Sequence, residues 1–239
     1  MFSHLCQLLF PPFCISCYKV QGHFICSECR REIQKIDKKR CLQCGSPSPS
    51  VVNHCQDCCH YSRNLDRVEA LYLYNGAVIK IIHNLKYHQC GLAGKVLGKL
   101  LALRLKSFSP YAHADYIIPI PITARKERKR GYNQSGLLAE RISSLLQIPL
   151  LDCLRKKKET PSQSLLSRDE RLASLDSVFT YNSHKELLKR KEVILVDDVS
   201  TTGATLLEGA RALKEEGKAR KVYGAVVARQ PKGMKTISK

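Results

Sequence analysis

No stretch of the 239 residues is apolar for long enough to span a bilayer, which takes about 20 residues. The expectation is a protein without a membrane span. The opening MFSHLCQLLFPPF is apolar but brief and lacks a basic leader, so it reads as a short helix packed on the body and not as a signal peptide. Acids are scarce: 21 Asp and Glu stand against 40 Lys and Arg, a formal net charge of +19. That imbalance draws the chain toward anions: nucleic acid, phosphorylated metabolites or an acidic surface on a partner. Cysteine is nearly missing from most of the chain. Of 12, only Cys90 and Cys153 lie beyond residue 59. With no secretion signal the expected compartment is the cytoplasm, where clustered cysteines hold metal more often than disulfides.

Eight of the clustered cysteines form CxxC pairs: Cys14/Cys17, Cys26/Cys29, Cys41/Cys44 and Cys55/Cys58. A CxxC turn points two thiolates at one centre, and two such turns complete a tetrahedron around Zn²⁺. Short loops between successive pairs predict two sites, Cys14, Cys17, Cys26, Cys29 and Cys41, Cys44, Cys55, Cys58. Each would be a small ribbon or knuckle, with a disulfide knot as the alternative. Four thiolates leave no vacancy for His23, His54 or His60 and no open position for water, so the zinc would be structural. Cys6 and Cys59 are left as ordinary thiols. Residues 1–60 are formally +3, and the rest of the chain +16. Eight bound thiolates and two Zn²⁺ bring the metallated module to about −1. A polyanion is therefore expected to meet the body, with the module a brace or a docking surface.

Beyond the cysteines the pattern becomes one of alternating strands and helices. RVEALYLY alternates like a strand, and NGAVIKIIHNLKYH reads as a helix. GLAGKVLGKLLALRLKS reads as a basic amphipathic helix with Val96, Leu97, Leu100 and Leu103 on its core face. ADYIIPIP is a strand expected to end near Ile118, before Pro119 and Pro121. NQSGLLAERISSLLQ is a helix with Leu138, Ile142, Leu145 and Leu146 at helical spacing, and IPLLDCL a strand. RKKKETPSQSLLSRDERLASLDS is a long basic loop of the kind that is functional or mobile. EVILVD is an unbroken apolar strand, GATLLEGARALKEEG a helix stopped at Gly217, and KVYGAVVAR a last strand. The expectation is a doubly wound, mostly parallel α/β sheet over residues 61–230 behind a cysteine module over 1–60, with a frayed basic tail over 231–239.

The stretch VILVDDVSTTGAT carries the most chemistry. In an open α/β sheet, ligands sit beyond the carboxyl ends of the strands. Asp197 and Asp198 fall at that end of the most apolar strand, and Ser200, Thr201, Thr202 and Gly203 turn into the helix. Backbone N–H groups at a helix start suit a phosphate. The hydroxyls of Thr201, Thr202 and Thr205 add donors, and Gly203 permits close approach. The two carboxylates repel a phosphate but suit sugar hydroxyls, so the local chemistry is that of ribose 5-phosphate. The competing reading is a simple helix cap at Asp198 or Ser200, which accounts for one of these residues and not for the set.

This stretch resembles the phosphoribosyl-diphosphate (PRPP) motif of type I phosphoribosyltransferases. LKYHQ, IIPIPITARKERKRGYNQSGLLAERI, TPSQSLLSRDERLASLDSVF and VILVDDVSTTGAT, together with the four CxxC pairs, resemble the ComF family across nearly the whole chain. The resemblance implies a phosphoribosyltransferase-like domain behind a zinc module, PRPP bound with Mg²⁺, and an association with natural competence and DNA uptake, including a protein partner in that machinery. PITARKERKR falls at the pyrophosphate loop, with Arg125, Lys126, Arg128 and Arg130 facing a diphosphate. Asn133 would cap the next helix beside Tyr132 and Gln134. Thr160, Gln163 and Arg168 fall on the mobile loop, and Lys86 and Tyr87 on the hood side. Ser174 stands where the family usually has Asn.

Two functions remain open on the sequence. One is a phosphoribosyltransferase with Asp197, Asp198 and Arg125 as its catalytic residues, in which positioning and charge stabilisation at the departing diphosphate do the work. No essential general base and no acceptor-binding element stands out. The other is a non-catalytic single-stranded DNA-binding protein that uses basic clusters at 125–130, 155–158 and 218–221 to follow a phosphate backbone. Tyr72, Tyr74, Tyr87 and Tyr132 would stack bases in that reading, or else pack as core.

Overall fold

The computed structural model describes residues 12–56, 58, 64–88, 90–157, 178–183 and 186–230. The expected N-terminal helix, Cys6, Cys59, His60, Thr160, Gln163, Arg168, Ser174 and the 231–239 tail lie outside the described residues.

Strands β1 (Arg67–Leu73), β2 (Tyr116–Pro119), β5 (Glu192–Ser200) and β6 (Lys221–Arg229) pair in parallel in the order β1-β6-β5-β2. β5 and β6 lie in the middle, covered on both faces, which is why their sequences run apolar without alternation. Val193 and Leu195 pack with Leu206, Ala210 and Leu213, whereas Ile194 and Val196 pack with Leu97, Leu101, Leu138 and Ile142. Helices α2 (Gly76–Tyr87), α3 (Gly91–Lys106) and α6 (Gln134–Leu146) therefore cover one face and α7 (Ala204–Arg211) the other. This is the expected doubly wound sheet. A π-helical turn at Ala212–Glu216 follows α7 and ends at Gly217, where an added Cβ would come within 2.7 Å of the Leu213 carbonyl oxygen.

The core face of α3 is not the one expected. Ala93, Gly94, Leu97, Gly98, Leu101, Ala102 and Leu105 are buried, Val96 and Leu100 are half-buried, and Leu103 is 55 % exposed. α3 turns its small residues inward because α6 approaches closely. A Cβ on Gly98 would sit 2.7 Å from that of Arg141, and one on Gly94 3.1 Å from that of Leu137. On α6, Leu138 and Ile142 are buried as expected, but Leu145 is 38 % exposed.

Both sheet edges differ in detail from the expectation. β2 includes Pro119, which costs no ladder bond because β2 lies at the end of the strand order. The segment expected to be one strand, IPLLDCL, is divided. Leu150 makes a single parallel bridge to Ile117, and the chain then turns to form β3 (Leu154–Lys156), antiparallel to β4 (Phe179–Tyr181) in a separate two-stranded sheet. On the opposite side of the main sheet, Lys35 pairs antiparallel with Tyr72 of β1, with Ile36 N–H donating to Leu71 O and Leu73 N–H to Gln34 O at 2.9 Å each.

Buried polar groups key the cysteine-rich segment onto this body. Fully buried Glu69 of β1 accepts from Arg40 Nε at 3.1 Å and from Arg104 Nε of α3 at 3.3 Å, and both guanidinium groups lie over the Phe108 ring. Asn84 of α2 donates to the carbonyls of Ile15 and Ser16 at 2.9 and 3.0 Å. Two short helices, α4 (Ser109–Ala112) and α5 (Ala124–Arg130), lie before and after β2. The first helix in the chain, α1 (Ser27–Glu32), has Cys26 as its cap, the thiol accepting from Cys29 N–H.

Candidate functional site: an acid pair beside a phosphate-type turn

β5 carries both acids at its carboxyl end. Asp197 is buried and its Oδ1 accepts from Ser135 Oγ at 2.9 Å and from Asp198 N–H at 2.8 Å. Ser135 comes from the first turn of α6, whose cap is Asn133, with Asn133 Oδ1 accepting from Ser135 N–H as expected. Asp198 Oδ2 lies 2.6 Å from the Lys86 ammonium at the end of α2. Burial pushes the Asp197 carboxyl up, to about 7, and the neighbouring Asp198 charge adds to this against the opposing pull of Lys86. Burial also acts to lower the Lys86 pKa, but Asp198 and then Asp197 outweigh it and hold the ammonium above its ordinary value.

β5 runs on to Ser200, so Asp198 and Ser200 lie in the strand and neither caps α7. The cap is Gly203, in the left-handed region at φ +85°, and Thr202 Oγ1 accepts from Ala204 N–H at 3.3 Å. Thr201, Thr202 and Thr205 are half-buried around this turn. The first N–H groups of a helix lack intrahelical acceptors and carry its positive dipole end. One fold corner thus holds a donor-rich turn and an acid pair together.

The eight paired cysteines form two groups of four, Cys14, Cys17, Cys26, Cys29 and Cys41, Cys44, Cys55, Cys58, with the four sulfurs of each group within 4.8 Å of one another. A tetrahedral shell with Zn–S near 2.3 Å has sulfurs about 3.8 Å apart. The measured separations, 3.8 Å for Cys17–Cys26, 3.4 Å for Cys41–Cys58 and 3.6 Å for Cys44–Cys55, fit that shell. In the second group Cys44 is held down to about 4 by the Cys41 thiol, Ser46 and the charge of Arg229, against burial, while Cys41 is driven up. A thiolate of that kind is a ready ligand for a cation.

Residues 133–239 match the phosphoribosyl transferase domain model, and residues 5–59 the double zinc ribbon domain model. Competence protein F of Haemophilus influenzae is 30 % identical over 212 residues, covering 85 % of this chain and 91 % of that protein. The chain belongs to the ComF family. Competence protein ComFC of Bacillus subtilis is 31 % identical over 211 residues, covering 86 % and 84 % of the two chains. The DNA utilization protein YhgH of Escherichia coli O157:H7 is 30 % identical over 203 residues, covering 83 % and 88 %. This ComF chain has the phosphoribosyltransferase-type α/β fold with an N-terminal double zinc ribbon. Among the described residues no helix is long and apolar enough to cross a membrane.

In this ComF chain the expected pyrophosphate segment forms α5, capped by Thr123, with Arg125, Lys126 and Arg128 exposed. Arg130 turns back to donate to Gln134 at 2.9 Å and lies over the Tyr87 ring. A cleft of about 590 Å³ opens between α5, the first turn of α6 and β3, lined among others by Pro121, Asn133, Glu140, Asp152 and Arg155. Of the expected basic clusters, the one at 218–221 is partly neutralised: Lys221 pairs with Asp66 at 2.9 Å and Arg220 with Glu192 at 2.8 Å. Sequence reasoning missed three residues. Ser135 lies in the stretch IIPIPITARKERKRGYNQSGLLAERI, and its place at the start of the helix expected there is a usable signal. Arg229 and Glu69 left no local signal, because their partners are remote in sequence.

Proposed function

We propose that this ComF protein binds PRPP with Mg²⁺ at the end of β5 and serves DNA uptake. The observation that carries this is the acid pair Asp197–Asp198 beside the left-handed Gly203 turn, with each carboxylate already held by a partner, Ser135 or Lys86. The N-terminal turn of α7 and the hydroxyls of Thr201, Thr202 and Thr205 receive the 5-phosphate. Asp197 and Asp198 accept from the ribose hydroxyls, and Lys86 keeps the pair from carrying its full negative charge. Arg125 and Lys126 on α5 face the diphosphate, and a bound Mg²⁺ would supply further neutralisation there. The double zinc ribbon takes two structural zinc ions. DNA uptake is supported by the similarity to competence proteins of H. influenzae and B. subtilis and to a DNA utilization protein of E. coli O157:H7. PRPP with Mg²⁺ at about a hundred times its dissociation constant should stabilise the fold by about 2.7 kcal/mol. Thermal unfolding reads this as a rise of a few degrees, abolished by Asp198→Asn; no rise in the wild type refutes the assignment.

A second reading, single-stranded DNA bound on the same body, is favoured by a run of rings that begins in the first zinc ribbon. Phe13 and Tyr18 stand 5.8 Å apart, Tyr18 and His88 6.4 Å, His88 and His83 5.3 Å, and His83 and Tyr87 4.7 Å. The run ends on Arg130 over Tyr87, next to the first turn of α6. Tyr18 and Tyr87 are 43 % and 59 % exposed. Tyr18 also holds a left-handed backbone at φ +63°, where the second ribbon has Gly45 at the corresponding place after its CxxC pair. A bulky residue in that conformation is unusual. Tyr72, by contrast, is core, and Tyr132 donates its hydroxyl to Leu85 O. Stacking contributes about 1–3 kcal/mol per base. Fluorescence anisotropy with oligothymidine should therefore show Tyr18→Ala and Tyr87→Ala each weakening binding at least several-fold with an unchanged salt slope. Equal affinity in both variants removes this reading.

A further inference from the structure

Arg229, the last residue of β6, is 1 % exposed, and its guanidinium lies between two structures that sequence order separates widely. On one side Nε donates to Ser46 Oγ at 3.1 Å, and Ser46 follows Cys44 of the second cysteine group. On the other side one terminal nitrogen donates to Ser200 O at 3.0 Å, Ser200 Oγ at 3.2 Å and Thr201 O. The backbone ties are equally direct: Gln230 N–H donates to Ser200 O at 3.0 Å and Cys41 N–H to Ser46 O at 2.9 Å. The acceptors are hydroxyls and carbonyls, and among the described residues Arg229 forms no salt bridge with a carboxylate. A buried charge without a counter-charge is strongly unfavourable. Through Ser46 the guanidinium reaches the loop that carries Cys44 of the second cysteine group. Four thiolates around Zn²⁺ form a dianion.

We propose that Arg229 is a positioning residue through which metallation of the second ribbon sets the conformation of the 200–203 turn. The inference rests on the reading of that turn as the phosphate site only for its consequence in ligand binding. The mechanical link stands on the contacts themselves. With zinc in place, the dianion holds the guanidinium, and the guanidinium fixes the carbonyls of Ser200 and Thr201, so that the N–H groups of the turn face outward. Without zinc, Ser46 and its neighbours lose their anchor, the arginine loses its counter-charge, and the turn is released. The first ribbon, joined to α2 through Asn84 and Ser16, has no part in this. Linkage makes the effect reciprocal: a ligand on the turn tightens zinc in the second group and not in the first.

The test is amide hydrogen exchange on the full-length zinc-loaded protein, with Cys55→Ser and Cys17→Ser loosening one group each. Both cysteines are half-buried members of their groups, so the two variants are matched. Peptides covering 200–205 should exchange about tenfold faster or more in Cys55→Ser, the size expected from losing charged hydrogen bonds. They should be unchanged in Cys17→Ser. Arg229→Lys keeps a charge but lacks the fork that reaches Ser46 and Ser200 together, and should reproduce the change with both zinc ions retained. Equal protection of 200–205 in Arg229→Lys and the wild type overturns the inference, as does equal acceleration by Cys17→Ser and Cys55→Ser. Calorimetry with PRPP and Mg²⁺ separates the two readings. Binding without exchange coupling sinks this inference and leaves the phosphate site standing; coupling without binding does the reverse.

Discussion

Asp197→Asn probes the acid pair without disturbing its shape, because the amide oxygen can still accept from Ser135 Oγ and Asp198 N–H. The wild-type carboxyl is raised from 3.8 to about 7, burial being the largest cause. The folded protein therefore holds this proton more tightly than the unfolded chain. The stability that this supplies is complete below about pH 4 and lost as pH rises toward 7. A shift of that size corresponds to about 4 kcal/mol. The asparagine carries no such dependence, and its buried NH₂ group, in the place of Oδ2, costs about 1–3 kcal/mol where it finds no acceptor. The variant is thus expected to be more stable than wild type by about 1–3 kcal/mol at pH 8. That advantage should shrink by at most about 1.4 kcal/mol per pH unit on acidification and reverse below about pH 5. Urea unfolding at a series of pH values from 5 to 8, with zinc held constant, measures the difference, in which titrating groups remote from the Asp197–Asp198–Lys86 cluster cancel. A difference that stays flat across this range, or grows toward acid, refutes the assignment of a buried, strained carboxylate. The same variant should lose the PRPP-dependent thermal shift.

Glu69→Gln leaves buried Arg40 and half-buried Arg104 without their counter-charge, and should cost about 3–5 kcal/mol in urea unfolding; a cost under 1 kcal/mol would show that the cluster does not hold the ribbon to β1. Gly98→Ala should destabilise by about 1–3 kcal/mol, because a Cβ there meets Arg141 at 2.7 Å, against a helix-propensity gain of about 1 kcal/mol. A net gain in stability would mean that α3 and α6 separate freely. Cys17→Ser or Cys55→Ser should each lower bound zinc from two ions per chain to one, read by atomic emission. Retention of both ions would show that three thiolates suffice.

The parts legible in the sequence are those whose chemistry is local. The four CxxC pairs announce both sulfur clusters, since spacing within a pair and order between pairs determine the grouping. VILVDDVSTTGAT announces strand, acids and turn because all three are consecutive. What escaped depends on distant partners. The inner face of α3 differs from the one hydrophobic period predicts, because close approach of α6 favours Gly94 and Gly98 over the larger Leu103, and period alone rewards the larger side chain. Glu69 reads as a polar position in an alternating strand, yet it is fully buried between two arginines. Resemblance puts Lys86 on the hood side, but only the fold brings its ammonium to Asp198. IPLLDCL has the composition of one strand. Its middle is used at the edge of the main sheet and its end in the β3–β4 pair.

The bridge between Lys35 and Tyr72 has a consequence for how the protein is handled. β1 ends the main sheet on one side, and the segment at 34–36 occupies its outward hydrogen-bonding groups. The bridge from Leu150 to Ile117 does the same for β2 on the other side. Neither end of the sheet presents a bare row of donors and acceptors to a second molecule at those positions. The covering on the β1 side lies in the segment between the two sulfur clusters. Stripping the metal would therefore uncover an adhesive strand before it melted the sheet, and chelator-treated protein should be lost to self-association while its α/β body is still folded.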